Sequence, residues 1–528
     1  MLGFIVITAL LLSGGIQALE SEYREYPSAA VTTETAVCSE IGAEILSTYG
    51  GSAVDSAIAS IICVGVINHH SCGIGGGFFA TIYESPRDGG EKVLTTILSR
   101  ETAPLAAEQD MFVNNTEASS TGGLAIAVPG EIAGLYEAWK MFGRVEWAQL
   151  IQPTITLCEE GFEVARYLAL AARLYETTIR EDPNLAEIFI KEDGELIQEG
   201  DIITNEKLGQ TMRRIAQDPM SFYTGSLAQD IVDDIAEYDG IITLEDLAQY
   251  APKIKAPLNI SLDNGDFTAF APVPPSSGVI TNFMLKVLDG YNFGPEDVAD
   301  DENKILTYHR IAEAFKFAFA RRTHLGDEDY WDVEDLVRNL TSSDYINDIR
   351  RQINDSFTQD IDYYGPNFGL DGNDTMGTSH MNVYTSEGSA VSLTSTINLF
   401  FGSKVRGSRT GIMFNNEMDD FSTPGTSNSF GVPASPANYI EPGKMPMSSM
   451  SPTMIFNRNG DVAFMTGAAG GTLIPTAVAF VTMNSLWFDK HLLEATDTPR
   501  LHHQLVPNEL RLEPDMDEVD QNWNLAAL

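Results

Sequence analysis

The junction Gly377-Thr378 constrains this 528-residue chain more than any other stretch. A polar loop, Asp371-Gly-Asn-Asp-Thr375, precedes it and the alternating run Ser379-His-Met-Asn-Val-Tyr384 follows, so Thr378 reads as the first residue of a β-strand. Glu387-Gly388 is a two-residue hairpin signal, after which Ser389-Ala-Val-Ser-Leu-Thr-Ser-Thr-Ile-Asn398 returns as a second strand rich in β-branched residues. Thr394 and Thr396 share a face of that strand. The junction also carries chemistry. A threonine hydroxyl is a weak nucleophile until a base stands beside it, and cutting the preceding peptide bond frees the threonine's own α-amine for that task. Such an amine titrates near ~7.7, far below the ~10.4 of lysine, and so loses its proton at working pH. Gly377 lets the backbone bend for the cut. Taken bare, a Gly-Thr pair at this place is most often only a strand start.

The surrounding residues add more. Thr378-Ser-His380, with Glu387-Gly-Ser-Ala-Val-Ser-Leu-Thr-Ser-Thr-Ile-Asn398-Leu-Phe-Phe-Gly-Ser-Lys-Val405, closely resembles the γ-glutamyltransferase (γ-glutamyl transpeptidase) family. Gly411-Ile-Met-Phe-Asn-Asn-Glu-Met-Asp-Asp-Phe421, Pro446-Met-Ser-Ser-Met450 and Gly467-Ala-Ala-Gly-Gly-Thr472 match the same family in the same order. The resemblance runs from about Ser28 to Glu513. It implies an αββα sandwich of N-terminal-nucleophile hydrolase type, an α+β fold. It also implies self-cleavage into a large subunit, 20–377, and a small subunit, 378–528, that remain together as a heterodimer. The implied reaction moves the γ-glutamyl group of glutathione or a related donor onto Thr378, then to water, an amino acid or a dipeptide, without a cofactor.

Residue by residue, the resemblance gives the donor's α-carboxylate to Arg100, Ser448 and Ser449 and its α-ammonium to Asn398, Glu417 and Asp420. A planar guanidinium fork suits a carboxylate, and carboxylates suit an ammonium. Thr396 matches the residue that orients the nucleophile's hydroxyl, and Gly470-Gly471 matches a pair of backbone N–H donors for the oxyanion of acyl transfer. Each of these residues alone would more often be a cap, a turn or a surface charge.

The balance of 32 basic against 75 acidic residues gives a net charge of −43, which repels nucleic acid and anionic lipid. Leu2 to Leu12 is an apolar run followed by small and polar residues, the pattern of a signal-peptide core. Residues 1–19 are therefore expected to be a signal peptide, giving a secreted protein, with a type II membrane anchor as the alternative. Sequons begin at Asn114, Asn259, Asn339, Asn354 and Asn373 and are glycosylation candidates in that pathway. Cys38, Cys63, Cys72 and Cys158 lack zinc-ligand spacing. The resemblance implies a Cys38–Cys63 disulfide and leaves the other two as buried thiols.

Along the chain, Thr35 to Tyr49 has helical periodicity, and Ser52 with Asp55 forms a capping box for a second helix reaching Asn68. Gly73-Ile-Gly-Gly-Gly77 enters a strand (Phe78 to Glu84) where a nucleotide loop would need a helix, so it predicts a tight backbone turn. Leu94 to Ser99 is a strand that delivers Arg100. Helices follow over Trp147–Gly161 and Asn205–Asp218, after a capping box at Thr243 and Asp246, up to Gly290, and as a long amphipathic segment over Tyr308–Arg322. From Asn373 strands are expected to dominate, with a hairpin at Asn459-Gly460, until a final helix over Thr476–Lys490. His69-His70 and His502-His503 lack the His-Glu-x-x-His zinc spacing, and no Gly-x-Ser-x-Gly elbow is present. Family members continue past Pro499-Arg-Leu-His-His503 with a helix and further strands, which are expected to be missing here because the sequence stops at Leu528. That shortening supports one alternative reading, a secreted non-catalytic paralogue that acts by binding.

Overall fold

The computed structural model describes residues 23–86, 91–368, 377–426 and 433–513. The leader (residues 1–19), the loop Asp371–Thr375 with its sequon, and the C-terminal stretch Asn522–Leu528 lie outside them. Ten strands form two antiparallel sheets. In chain order they are β1 (Ala30–Thr32), β2 (Gly77–Glu84), β3 (Val93–Ser99), β4 (Lys253–Lys255), β5 (Leu258–Leu262), β6 (Phe267–Ala271), β7 (Thr378–Tyr384), β8 (Ala390–Thr396), β9 (Thr453–Asn457) and β10 (Val462–Thr466). The first sheet runs β1-β7-β8-β2-β3-β4 and the second β10-β9-β6-β5.

Side-chain alternation assigns the layers. On the first sheet, Phe78, Ala80, Ile82, Met381, Val383, Val391 and Leu393 join one core with helices α1 (Ala36–Ser47), α2 (Ala53–Ile67), α3 (Glu131–Phe142) and α4 (Trp147–Glu160). Their neighbours Phe79, Leu98, Tyr83 and Ala390 point the other way and meet Met450, Met454 and Phe456 between the sheets. The outer face of the second sheet packs Ile260, Ala269 and Ile455 on α5 (Gly278–Asp289), α6 (Asp301–Arg322) and α7 (Leu473–Leu486). The result is the expected four-layer αββα sandwich.

Both capping boxes read from sequence are present, at Ser52/Asp55 and Thr243/Asp246. Cys38 and Cys63 are bonded and tie α1 to α2, while Cys72 and Cys158 are buried thiols. Three expectations need correction. The β7–β8 turn has three residues: Gly388 takes φ +85° and donates to the Thr385 carbonyl while Thr385 N donates to Ser389 O. The β9–β10 turn repeats this with Gly460 at φ +80°, because a left-handed glycine after a tight turn closes a bulged hairpin. Second, α6 starts at Asp301 and is not amphipathic, since Thr307 to Ala320 is buried on nearly every side between neighbouring helices. Buried Glu313 is tolerated there because Lys316, Thr358 and Tyr364 all donate to it. Third, the region after residue 373 is less strand-rich than expected. Between Ile397 and Pro452 the described residues form turns and isolated bridges, with Glu417–Asp420 a 3₁₀ turn. A short helix, Leu492–Asp497, also follows α7.

Candidate active site

The strand register places Thr378 directly opposite Thr396, both facing the space between the sheets. Asn398 N donates to Thr396 Oγ1 at 2.8 Å, and Thr396 Oγ1 donates to Gly377 O at 2.5 Å. The Thr396 proton being committed, the 3.2 Å contact between Thr378 Oγ1 and Thr396 Oγ1 has Thr378 as donor. A Cβ on Gly377 would lie 2.3 Å from Asn398 O, so glycine is required before the threonine for space as well as bending. The Gly73–Gly77 turn is explained likewise: a Cβ on Gly76 would lie 2.0 Å from Thr396 O, and one on Gly75 would lie 2.1 Å from Met413 O. His380 is no base for Thr378, because its Nδ1 is held at 2.9 Å on Thr394 Oγ1 and burial pushes it down to about 4.

Nine of the ten residues named from sequence line one pocket: Thr378, Thr396, Asn398, Arg100, Glu417, Asp420, Ser448, Ser449 and Gly471. Gly470 is next to the pocket without lining it. Gly470 and Gly471 have φ of +117° and +58° and their carbonyls accept the first bonds of α7, so this glycine pair sits at that helix's N-terminal end. Asn398 has φ +70° and its Nδ2 donates to Asn416 O, which fixes the loop leaving β8.

The other wall is charged. β3 ends at Ser99 and delivers Arg100, fully buried, whose Nη1 meets Glu417 Oε1 and whose Nη2 meets Asp420 Oδ2. Nη2 also donates to Met447 O at 3.3 Å, and Glu101 Oε2 stands 3.7 Å from Nη1. Burial opposes the Arg100 charge, but Glu417, Asp420 and Glu101 outweigh it and hold the guanidinium firmly charged. Burial raises Glu417 and Glu101 well above the carboxylate range, and each lies within hydrogen-bond reach of the other. Glu101 Oε1, Glu101 Oε2 and Glu417 Oε2 find no conventional donor, so burial acts on both carboxyl groups with little hydrogen-bond compensation. Ser449 Oγ accepts from Arg322 Nη2 at 3.1 Å, which leaves its proton free to donate.

Several pocket residues were not foreseen. Arg322, the last residue of α6, lines the pocket, as does Asn438, which donates to Asp420 O and accepts from Met447 N. Asn415 lies behind the wall with all its polar capacity in use: Oδ1 accepts from Ala127 N and Glu417 N, and Nδ2 donates to Gly75 O and Ala127 O. Asn415 falls inside the motif read from sequence, where the pair Asn415-Asn416 beside the three acidic residues Glu417, Asp419 and Asp420 was the available signal. Arg322 had none, because it ends an ordinary-looking helix.

A four-layer αββα sandwich with a threonine opening an internal strand, its hydroxyl turned into a polar pocket, has the architecture of the N-terminal-nucleophile hydrolases. Residues 38–523 match the family model described as Gamma-glutamyltranspeptidase, so the chain belongs to the γ-glutamyltranspeptidase family. Among curated relatives, Scoloptoxin SSD14 of Scolopendra dehaani is 43% identical over 490 residues, covering 92% of this chain and 83% of its own. Glutathione hydrolase 2 of Arabidopsis thaliana is 40% identical over 488 residues, with 92% and 82% covered. Among solved structures, cephalosporin acylase from Bacillus halodurans aligns with a TM-score of 0.79 over 96% of this chain and 90% of its own at 24% identity, a likeness of fold.

Proposed function

We propose that this protein is a γ-glutamyltransferase and glutathione hydrolase whose nucleophile is Thr378. The observation that carries the reading is the placement of the Thr378 hydroxyl on Thr396 within the same pocket as Arg100, Glu417, Asp420, Ser448 and Ser449. Glutathione hydrolases described as proenzymes, such as that of Arthroderma benhamiae at 38% identity, support processing into two chains.

Maturation starts in the uncut chain. Thr378 Oγ1 attacks the Gly377 carbonyl carbon, and the hydrogen bond from Thr396 Oγ1 to Gly377 O stabilises the developing oxyanion. The C–N bond breaks, the hydroxyl proton passes to the departing nitrogen, and water hydrolyses the resulting ester. This leaves a Gly377 carboxylate, ending the chain 20–377, and a free Thr378 amine, opening the chain 378–528. In turnover that amine takes the Thr378 hydroxyl proton as Oγ1 attacks the donor's γ-carbonyl, and gives it to the leaving amine. Gly470 and Gly471 N–H groups receive the oxyanion. Water, an amino acid or a dipeptide then takes the γ-glutamyl group from Thr378. Arg100, Ser448 and Ser449 bind the donor's α-carboxylate, and Asn398, Glu417 and Asp420 its α-ammonium. Insertion of this zwitterion exchanges the Arg100 ion pairs for matched pairs with the ligand, so no buried charge is left alone.

Entry into the secretory pathway accords with the apolar run Leu2–Leu12 and with a disulfide, which persists in oxidising compartments. No helix among the described residues is long and apolar enough to cross a membrane. Asn114, Asn259 and Asn339 are exposed and open to glycosylation, whereas Asn354 is half-buried with its Oδ1 accepting from Ser356 N. The deciding experiment is release of p-nitroaniline from L-γ-glutamyl p-nitroanilide by purified protein, with N-terminal sequencing of the smaller chain. Activity with a new terminus at Thr378 is expected; a terminus elsewhere would remove Thr378 as nucleophile.

A further inference from the structure

The pocket holds two guanidinium groups in different circumstances. Arg100 is saturated by carboxylates, with Glu417 and Asp420 bonded and Glu101 close by. Arg322 lies within 4 Å of no carboxylate among the described residues; its Nε donates to Ser277 Oγ and its Nη2 to Ser449 Oγ, both at 3.1 Å. Hydroxyls satisfy its hydrogen-bonding geometry without cancelling its charge.

Charge counting gives this difference meaning. The wall contains two arginines against three carboxyl groups, two of which, Glu101 and Glu417, burial raises above the usual carboxylate range. A γ-glutamyl group enters as a zwitterion, itself neutral, and so needs both signs of charge from the wall. Removing Arg322 takes away a positive charge, which favours the ammonium and penalises the carboxylate. Arg322 is also placed for precision. It closes α6, a 22-residue helix whose middle is packed into the core, and its charge complements the carbonyl end of that helix. Burial pushes it down to about 10, with Asp420 raising and Arg100 lowering it, so it remains a cation at neutral pH. Its partners join two segments: Ser277 Oγ donates to Ser448 O at 2.6 Å, so Arg322 and Ser277 together set the Ser448-Ser449 loop.

We propose that Arg322 is a specificity-determining residue of this site, supplying through Ser449 and its own guanidinium a positive charge, ion-paired to no carboxylate among the described residues, that selects donors with a free α-carboxylate. The proposal rests on the γ-glutamyl reading above. The test compares L-γ-glutamyl p-nitroanilide with its α-methyl ester in wild-type, Arg322→Gln, Arg322→Lys and Ser449→Ala proteins. Wild type should prefer the acid strongly in kcat/KM. Arg322→Gln should reduce that preference by roughly 10- to 100-fold, the range expected for a hydrogen bond to a charged group, chiefly through the KM of the acid. The ester, which keeps only the ammonium, should hold or gain kcat/KM, whereas a merely structural role would lower both substrates together. Arg322→Lys should restore part of the preference, having the charge without the fork. A wild-type preference retained in Arg322→Gln overturns the proposal and leaves the γ-glutamyl reading intact. A wild-type enzyme indifferent to the ester overturns the carboxylate site as a whole. Should Arg322→Gln fail to cut itself, wild-type ratios in both Arg322→Lys and Ser449→Ala overturn the proposal.

Discussion

Thr378 finds its hydrogen-bond partner Thr396 18 residues away across one hairpin, whereas Arg100 finds Glu417 and Asp420 at separations of 317 and 320 residues. The reactive half of the pocket is thus set by strand register, which backbone bonds enforce and a one-residue slip would destroy completely. The charged half depends on loops, and each loop is held by side-chain amides such as Asn415 and Asn438. The two halves should therefore fail differently. Damage to the hairpin abolishes chemistry, while damage to the wall weakens binding and stability by degrees.

The largest effect tests the first half. Thr378→Ala should leave a single uncut chain and lower activity by about 10⁴-fold or more, as removal of a nucleophile does elsewhere. A gel and an activity assay together check this. Two chains from the alanine variant would break the comparison at its stronger end.

Arg100→Lys comes next. The substitution keeps a charge and loses the bidentate fork, so KM for the γ-glutamyl donor should rise by the equivalent of about 1.5–3 kcal/mol while self-cleavage continues. An unchanged KM would mean that the ion pairs with Glu417 and Asp420 only brace the loop.

These two halves also differed in how far they could be read from residues alone. Local pattern revealed the hairpin strands, the capping boxes and the Gly73–Gly77 turn, because each depends on neighbours in sequence. Its failures were local too: the β7–β8 turn has an extra residue that Glu387-Gly388 does not display. The charged residues came from family resemblance, since no periodicity links Arg100 to a turn more than 300 positions later. Arg322 and Asn438 escaped both routes. A helix-ending arginine and a loop asparagine acquire meaning only when folding brings them to Ser449 and Asp420.

Asn415→Ala sharpens the account of the wall. It strips partners from Glu417 N, Ala127 N and Ala127 O, all buried, and should cost about 1–3 kcal/mol of stability. Thermal unfolding measures that loss. The KM should rise as well, because Glu417 N loses its anchor; destabilisation with an unaltered KM would show that Glu417 is held well enough by Arg100 alone.

The last effect depends on pH and lies behind the hairpin. Ser395 is the cross-strand partner of Ser379, on the face opposite Thr378, and its Oγ donates to Glu131 Oε2 at 3.0 Å. Burial pushes Glu131 up to about 8, with the Ser395 bond lowering it and the nearby Glu101 raising it; Tyr223, Tyr250 and Cys72 also feel its charge. The folded protein therefore holds a proton that the unfolded chain releases near ~4.3. This contribution to stability is complete below that value and is lost as pH rises to about 8, at up to about 1.4 kcal/mol per pH unit. Glu131→Gln mimics the protonated form, so it should change the melting temperature little at or below about pH 4. Between pH 5 and 8 the variant's stability should fall less steeply with pH than that of wild type, so that by about pH 8 the variant is the more stable protein. If both proteins lose stability in parallel between pH 5 and 9, Glu131 is ionised in the fold, and the strand behind the nucleophile carries a buried charge in place of a buried proton.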